Sequence, residues 1–375
     1  MKAVDLKFMR RALTLARRGL GRTSPNPCVG AVIVQRGRVL GEGWHRGAGL
    51  RHAEVEAFAD ARRRKIPVKG ATLYVTLEPC CTWGRTPPCT EAIIDAGIHR
   101  VVAGAVDPNP KHAGKGFRIL RMAGIKVVEG VMADECVKLN EGWNHWMTHR
   151  MPWVIAKCGM TLDGKIATAN GESKWITSEA SRHEAHRLRA QTDAILVGVN
   201  TVLKDDPHLN VRGVKFHGKQ PLCVVLDSRA RTMSDAKILK GGRACIITGR
   251  KVSPAKVARL KKAGAMVLQV RTGRHGLDLR ETLRLLGKQN VTSVLVEGGG
   301  EMLGSFFQEK LVNEAVLFIA PIILGGKESV KAVAGEGVRL WNDAVMLEGM
   351  TVRRVGVDLM VEGKVGRFKP ATRSQ

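Results

Sequence analysis

The sequence predicts two α/β domains in tandem, on three observations. The chain is 375 residues long, about twice the usual single-domain size. Short β-branched runs alternate with helical stretches along its length, as expected for helices covering a largely buried sheet. The alternation restarts after Pro152, which predicts one domain over 1–150 and a second over 151–375.

Residues 5–19 place Leu6, Met9, Leu13 and Ala16 at helical spacing, and Gly19 and Gly21 supply the stop. VGAVIV (29–34) is a strand, and 39–44 its hairpin partner across Gly37. A helix over 52–64 follows, with Val55, Phe58 and Ala59 on one face. Strands are expected at 72–77, 100–105 and 126–128, and helices at 89–96 and 116–123. One helix is expected over 134–150. In the second half, strands are expected at 153–156, 194–199, 222–226, 244–248, 266–270, 293–296 and 315–320. Helices near 179–190, 254–263, 278–286 and 300–309 separate several of them.

Composition limits the function classes. The chain is 44% hydrophobic and 25% charged, which excludes wholesale disorder. Its 61 Lys+Arg against 34 Asp+Glu leave a net charge of +27, spread over both halves and compatible with nucleic acid, anionic membranes or phosphorylated small molecules. Aromatics at 4%, with a single Tyr, argue against a base-stacking platform. The longest apolar stretch, 315–324, contains Pro321 and falls far short of the ~20 residues a spanning helix needs. Asp5, Lys7, Arg10 and Arg11 interrupt the apolar core a signal peptide would require. A cytoplasmic protein is the expectation, with Cys80, Cys81 and Cys89 clustered for metal or redox chemistry.

His52-Ala53-Glu54 opens a helix, and Glu78-Pro79-Cys80 ends a strand. This order matches the zinc-deaminase pattern of H-x-E followed by P-C-x-x-C. One imidazole and two thiolates fill three tetrahedral positions and leave the fourth for water. Glu54, two residues from a ligand, can shuttle protons without ligating. The pattern departs in one place: residue 83 is Trp, and the next thiol is Cys89, beyond Cys81 and TWGRTPP (82–88). Cys81 reads as a free thiol beside the site. In the second half, VEGGG (296–300) ends a strand and opens a helix, where successive glycines let backbone N–H groups approach a pyrophosphate. No G-x-G-x-x-G follows the first strand there.

GRTSPNPCVGAVIV (21–34), HAE (52–54), YVTLEPCCTWGRTPPC (74–89) and DPNP (107–110) resemble the deaminase half of the bifunctional riboflavin-biosynthesis deaminase–reductases. The segments 157–167, 170–178, 188–212 and VEGGG resemble the reductase half of the same family. Together these resemblances run from about residue 4 to 365. They imply a cytidine-deaminase-like α/β/α domain followed by a dihydrofolate-reductase-like α/β domain. The implied reactions are zinc-dependent deamination of a diaminopyrimidine carrying phosphoribosylamine and NADPH-dependent reduction of its ribosyl group.

By this resemblance His52, Cys80 and Cys89 ligate Zn2+, Glu54 moves protons and Asn26 holds the pyrimidine. Asp107 and Asn109 either touch substrate or build their turn. Gly159, Ser173, Trp175, Thr201, Asp205, Gly298, Gly299 and Gly300 contact NADPH. Arg189, Leu209, Arg212, Ser228 and Glu297 surround the substrate, contact of Ser228 with either ligand being open. Lys157, facing the same cleft as Asp163, orients or protonates the sugar. A guanidinium such as Arg189 suits the ribose phosphate. The implied partner is a phosphorylated pyrimidine small molecule, with neither membrane nor nucleic acid, and homo-oligomers are left open.

Two rival readings remain. A nucleic-acid base deaminase with an accessory domain has the +27 charge in its favour. The Cys80–Cys89 spacing, the scarce aromatics and the reductase-like second half stand against it. A binding module around a structural zinc would close its site with four protein ligands, and the clear candidates stop at three.

Overall fold

In the computed structural model, described over residues 2–84, 87–273 and 276–367, the chain divides into two units, Met1–Arg150 and Met151–Gln375. The first contains α1 (Ala3–Ala16), β1 (Gly30–Gln35), β2 (Arg38–Trp44), α2 (Ala53–Arg63), β3 (Thr72–Leu77) and α3 (Cys89–Asp95). It continues through β4 (Arg100–Ala105), α4 (Lys115–Met122), β5 (Lys126–Val128), α5 (Ala133–Leu139) and α6 (Glu141–His149). The sheet runs β2-β1-β3-β4-β5. The β1–β2 and β1–β3 pairs are antiparallel, whereas β3–β4 and β4–β5 are parallel. Phe8, Met9 and Leu13 of α1 and Trp143 of α6 share one core. Ala57 of α2, Ile93 of α3 and Phe117 and Leu120 of α4 share the other.

One local expectation is refined and one corrected. On α2 the buried positions are Ala53, Glu54, Ala57 and Ala61, while Val55, Phe58 and Ala59 are only half-buried. The cause is the closeness of β2: a Cβ on Gly41 would lie 2.3 Å from the Ala57 carbonyl oxygen, and one on Gly43 2.3 Å from that of Ala53. Only small side chains fit between backbones so near. Gly43→Ala is therefore expected to destabilise this unit by about 1–3 kcal/mol, seen as a lowered unfolding midpoint by calorimetry. An unchanged midpoint would contradict the close-packed reading. The helix expected over 134–150 breaks at Asn140, whose side chain accepts from Cys28 N at 2.7 Å and donates to Cys28 O at 2.9 Å.

The second unit contains β6 (Trp153–Thr161), β7 (Lys165–Ala167), α7 (Glu179–Gln191), β8 (Ala194–Gly198), α8 (Val199–Asp205), β9 (Leu222–Leu226), α9 (Lys237–Lys240) and β10 (Ala244–Gly249). It continues with α10 (Pro254–Lys262), β11 (Met266–Val270), β12 (Thr272–Gly273), β13 (Gly276–Leu277), α11 (Leu279–Lys288) and β14 (Ser293–Val296). The remainder is α12 (Gly300–Gln308), β15 (Glu314–Ala320), β16 (Val330–Lys331), β17 (Val345–Val355) and β18 (Asp358–Arg367). The main sheet has the order β11-β10-β9-β8-β14-β6-β15-β18-β17. From β11 to β15 every neighbouring pair is parallel. Its central strands, such as AILV and ACII, are apolar throughout because helices cover both faces. The β17–β18 hairpin joins antiparallel at one edge. No described helix is long and apolar enough to cross a membrane.

Candidate active sites

In the first unit the chemistry sits where two helices begin. His52 is the N-cap of α2 and Cys89 the first residue of α3, while Cys80 follows β3. Their ligand atoms lie within 4.8 Å of one another, and these three form the one such group found among the described residues. His52 presents Nδ1, 3.1 Å from Cys89 Sγ and 3.4 Å from Cys80 Sγ. Cys80 Sγ also accepts from Cys89 N at 3.3 Å. The hydrogen bond from Cys89, followed by that from His52, pushes the Cys80 thiol down to about 4. One nitrogen and two sulfurs are a donor set suited to zinc. Arg85 and Thr86, in the loop joining the two cysteines, lie outside the described residues.

Glu54 is 3% exposed, and burial raises its carboxyl above the ordinary range. It lines a cavity of about 320 Å³ together with His52, Cys80, Asn26, Asp107 and Asn109. Cys81 turns elsewhere, its Sγ 3.5 Å from His112 Nδ1.

Several residues without a role in the sequence reading organise this cavity. Desolvation lowers the pKa of buried His45; its Nδ1 faces Arg51 O at 3.0 Å, which only accepts, so Nδ1 donates there and Nε2 accepts from the Asn26 amide at 3.1 Å. Glu78 accepts from the backbone N–H groups of Asp107 (3.1 Å), Gly114 (2.9 Å) and Gly116 (2.9 Å), shaping the DPNP loop. Asp107 and Asn109 build this turn as well as lining the cavity: Asp107 Oδ1 accepts from Asn109 N and Asn109 Oδ1 from Lys111 N. Burial pushes Asp107 up to about 6. Trp143, Trp146 and Met147 of α6 line the cavity too. A carboxylate after an apolar strand is a legible sign of an anchor such as Glu78, but no local spacing points from α6 to a cavity.

In the second unit the candidates gather at the carboxyl ends of parallel strands, where open α/β sheets bind ligands. Arg189 of α7 forms a bidentate pair with Glu297, just after β14, at 2.7 and 2.8 Å. Its remaining nitrogen donates to Asn210 O at 3.2 Å. Lys157 of β6 is 3.8 Å from Glu297 Oε2 and 5.9 Å from the Phe318 ring centroid. Burial would raise Glu297, but Lys157 and Arg189 outweigh it and hold the carboxyl at about 2. Arg212 donates from N to His186 Nδ1 at 3.3 Å, and desolvation, reinforced by Arg189 and Arg212, lowers His186 to about 4.

Thr201, Ser228, Gly299 and Gly300 line a cleft of about 460 Å³. The three glycines differ in role. A Cβ on Gly300 would sit 2.1 Å from Lys331 O, and one on Gly298 2.5 Å from Met302 Sδ, whereas Gly299 faces open space at the N-cap of α12. Packing explains two of them, and Gly299 is the one that admits a ligand to the backbone. Lys174 Nζ lies 3.7 Å from Asp205 Oδ1, which brings the Ser173–Trp175 stretch to the end of α8. Trp175 is 68% exposed under the Arg182 guanidinium, 4.5 Å away. Gly159 lies beside Thr177.

Two residues depart from the sequence reading. Leu209 is buried in the core at 4% exposure with a φ of 48°, so its side chain is packing and only its backbone is available to a ligand. Asp163 does not face Lys157's partners: its carboxylate accepts from Thr161 Oγ1 (2.6 Å), Gly325 N (2.7 Å) and Leu324 N (3.2 Å), tying down a surface turn.

Comparison with known proteins gives two family matches. The model of the cytidine and deoxycytidylate deaminase zinc-binding region matches residues 2–105, and that of the RibD C-terminal domain matches residues 152–361. The riboflavin biosynthesis protein RibD of Aquifex aeolicus is 44% identical over 361 residues, covering 96% of this chain and 98% of that protein. The Escherichia coli protein of the same name is 40% identical, with 95% and 98% covered. Acinetobacter baumannii RibD superposes with a TM-score of 0.87 at 36% identity, over 97% of this chain and 99% of that one. A Thermotoga maritima diaminohydroxyphosphoribosylaminopyrimidine deaminase/5-amino-6-(5-phosphoribosylamino)uracil reductase gives 0.83 at 34% identity, with 97% and 99% covered.

Proposed function

The chain belongs to the RibD family, and on that premise we propose how its two units divide the work of a bifunctional riboflavin-biosynthesis enzyme. It is a zinc-dependent deaminase and an NADPH-dependent reductase. We assign deamination of 2,5-diamino-6-(5-phosphoribosylamino)pyrimidin-4-one to residues 1–150. Reduction of the ribosyl to the ribityl chain is assigned to residues 151–375. The observation that carries the first assignment is the convergence of His52, Cys80 and Cys89, whose ligand atoms lie within 4.8 Å of one another, at a cavity lined by His52, Cys80 and buried Glu54.

His52 Nδ1 and the two thiolates would hold zinc, which when bound would supply the Lewis acidity that makes water nucleophilic near neutral pH. Glu54, outside the ligand group, would take a proton from the attacking water and return protons to the ring nitrogen and the departing ammonia. Burial raises the Glu54 carboxyl above its ordinary range, the direction that favours holding a proton between two steps. Asn26, oriented by His45, hydrogen-bonds the pyrimidine edge.

In the second unit NADPH supplies the hydride when bound. Thr201, Gly299 and Gly300 line the cleft we assign to the cofactor, as does Met302, against which Gly298 packs; Gly159, Ser173, Trp175 and Asp205 are the further residues we assign to it. Lys157 and Arg212 are the cations we assign to the substrate's sugar and phosphate, and Ser228, which lines the cleft with Thr201, is assigned to the place where substrate and cofactor meet. Arg189 and Glu297, paired with each other, fix the position of Lys157. The partner is a phosphorylated small molecule, and we place the enzyme in the cytoplasm.

A zinc chelator separates the halves. It is expected to remove one zinc per chain and end ammonia release, while NADPH oxidation on deaminated substrate continues. Loss of both activities together in folded protein would refute the division of labour.

A further inference from the structure

The two family matches stop at residue 105 and resume at 152. The stretch between them nevertheless supplies a large part of the deaminase cavity, including Trp143, Trp146 and Met147 of α6. The matched region provides His52, Cys80, Cys89 and Glu54, the machinery for deamination as such. What the cavity accepts must then depend on the walls around that machinery.

We propose that α6 is the substrate-selecting wall of the deaminase cavity, with the Trp146 indole, backed by Trp143 and Met147, covering a face of the aminopyrimidine ring. The inference rests on the deaminase reading above and adds the surface that recognises its substrate.

Three observations carry it. First, the cavity is divided by chemistry. Asn26, Glu54, Asp107 and Asn109 offer hydrogen-bonding groups suited to a heterocycle's edge, while the α6 side chains offer apolar area suited to its face. Second, α6 is fixed relative to the edge-reading loop. Asn140, buried at the α5–α6 junction, holds both the N–H and the carbonyl of Cys28, two residues beyond Asn26. The helix then resumes from the same residue, with Asn144 N donating to Asn140 O at 2.8 Å. One side chain thus sets the spacing between the aromatic wall and the pyrimidine-binding loop. Third, the two tryptophans are buried to different degrees. Trp143, at 8% exposure, belongs to the core, whereas Trp146 is half-buried and packs against that core from the cavity side. The Arg150 guanidinium lies 6.0 Å from the Trp146 ring centroid.

The test uses the full chain with Trp146→Ala, Trp146→Leu and Trp146→Phe, measuring ammonia release against substrate concentration, zinc content, and quenching of tryptophan fluorescence by the deaminated product. Stacking on an indole is sensitive to alanine substitution, so Ala and Leu are expected to raise KM roughly tenfold or more. In both, kcat changes far less, zinc stays at one per chain and the quench shrinks. Phe, which keeps a ring, should recover much of the lost affinity. A Leu variant with wild-type KM and quench overturns the proposal. So does a joint loss of kcat and zinc in both Ala and Leu variants, which would make Trp146 a packing residue. A wild-type chain that releases no ammonia would overturn the deaminase reading together with this inference, whereas an active wild type with an unaffected Leu variant overturns the inference alone.

Discussion

Glu54→Gln is expected to lower ammonia release by about 10²–10⁴-fold while NADPH oxidation on already deaminated substrate is unchanged. Glutamine keeps the volume and much of the hydrogen-bonding capacity of a side chain that is 3% exposed, so α2 and its N-cap His52 should stay in place. What is lost is the ability to hold a proton at the carboxylate between two steps of one reaction. Glu54 lies outside the group of His52, Cys80 and Cys89, so zinc content should remain at one per chain. That combination of intact metal, intact reductase and lost ammonia release distinguishes a proton carrier from a structural residue. If zinc were lost as well, Glu54 would be supporting the ligands. If reductase activity vanished in folded protein, the chemistry would not be divided between 1–150 and 151–375.

The sequence revealed those parts of the protein whose physics is local. The buried strands show as apolar runs because helices cover both faces, and several expected ranges, such as 72–77, 100–105 and 222–226, agree with the observed strands residue for residue. The candidate ligands His52, Cys80 and Cys89 could be picked out because two of them open helices and the third follows β3 by three residues, and their ligand atoms do lie within 4.8 Å of one another. The β17–β18 hairpin was not expected. VMLEGMTVRRV mixes charge, Gly and apolar residues in an exposed edge strand, without the burial that produces a readable pattern. The buried face of α2 was not legible, because its small residues answer to Gly41 and Gly43 on another element. The break at Asn140 escaped notice for a similar reason, since its partner Cys28 lies 112 positions away. VEGGG was read as one phosphate cradle, although tertiary contacts account for two of its glycines.

Arg189 and Glu297 were each expected around the substrate, and their pairing makes a sharper test possible. Glu297→Ala leaves Arg189 and Lys157 buried without their shared counter-charge. The pair's side chains are only 14% and 8% exposed, so desolvation is not relieved by water, and the expected loss is on the order of 3–5 kcal/mol. The folded pKa of Glu297, about 2, lies below the ordinary 4.5. Its contribution is therefore complete above the ordinary carboxylate range and is lost as pH falls toward and through about 2. The stability deficit of the variant should then be level across neutral pH and close only in strong acid, as followed by denaturant unfolding of this unit at a series of pH values. A deficit that changed between pH 6 and 8 would point to a different titrating group. Stability and function can be separated by replacing both partners. The double variant Arg189→Leu/Glu297→Leu removes one of the two uncompensated cations, leaving only Lys157, 19% exposed, without its carboxylate, and should recover part of the lost stability. It should not recover NADPH oxidation, because Lys157 would have lost the carboxylate, 3.8 Å away, that holds it. A double variant with restored stability and normal KM and kcat would reduce the pair to scaffolding, leaving Lys157 and Arg212 to bind the substrate unaided.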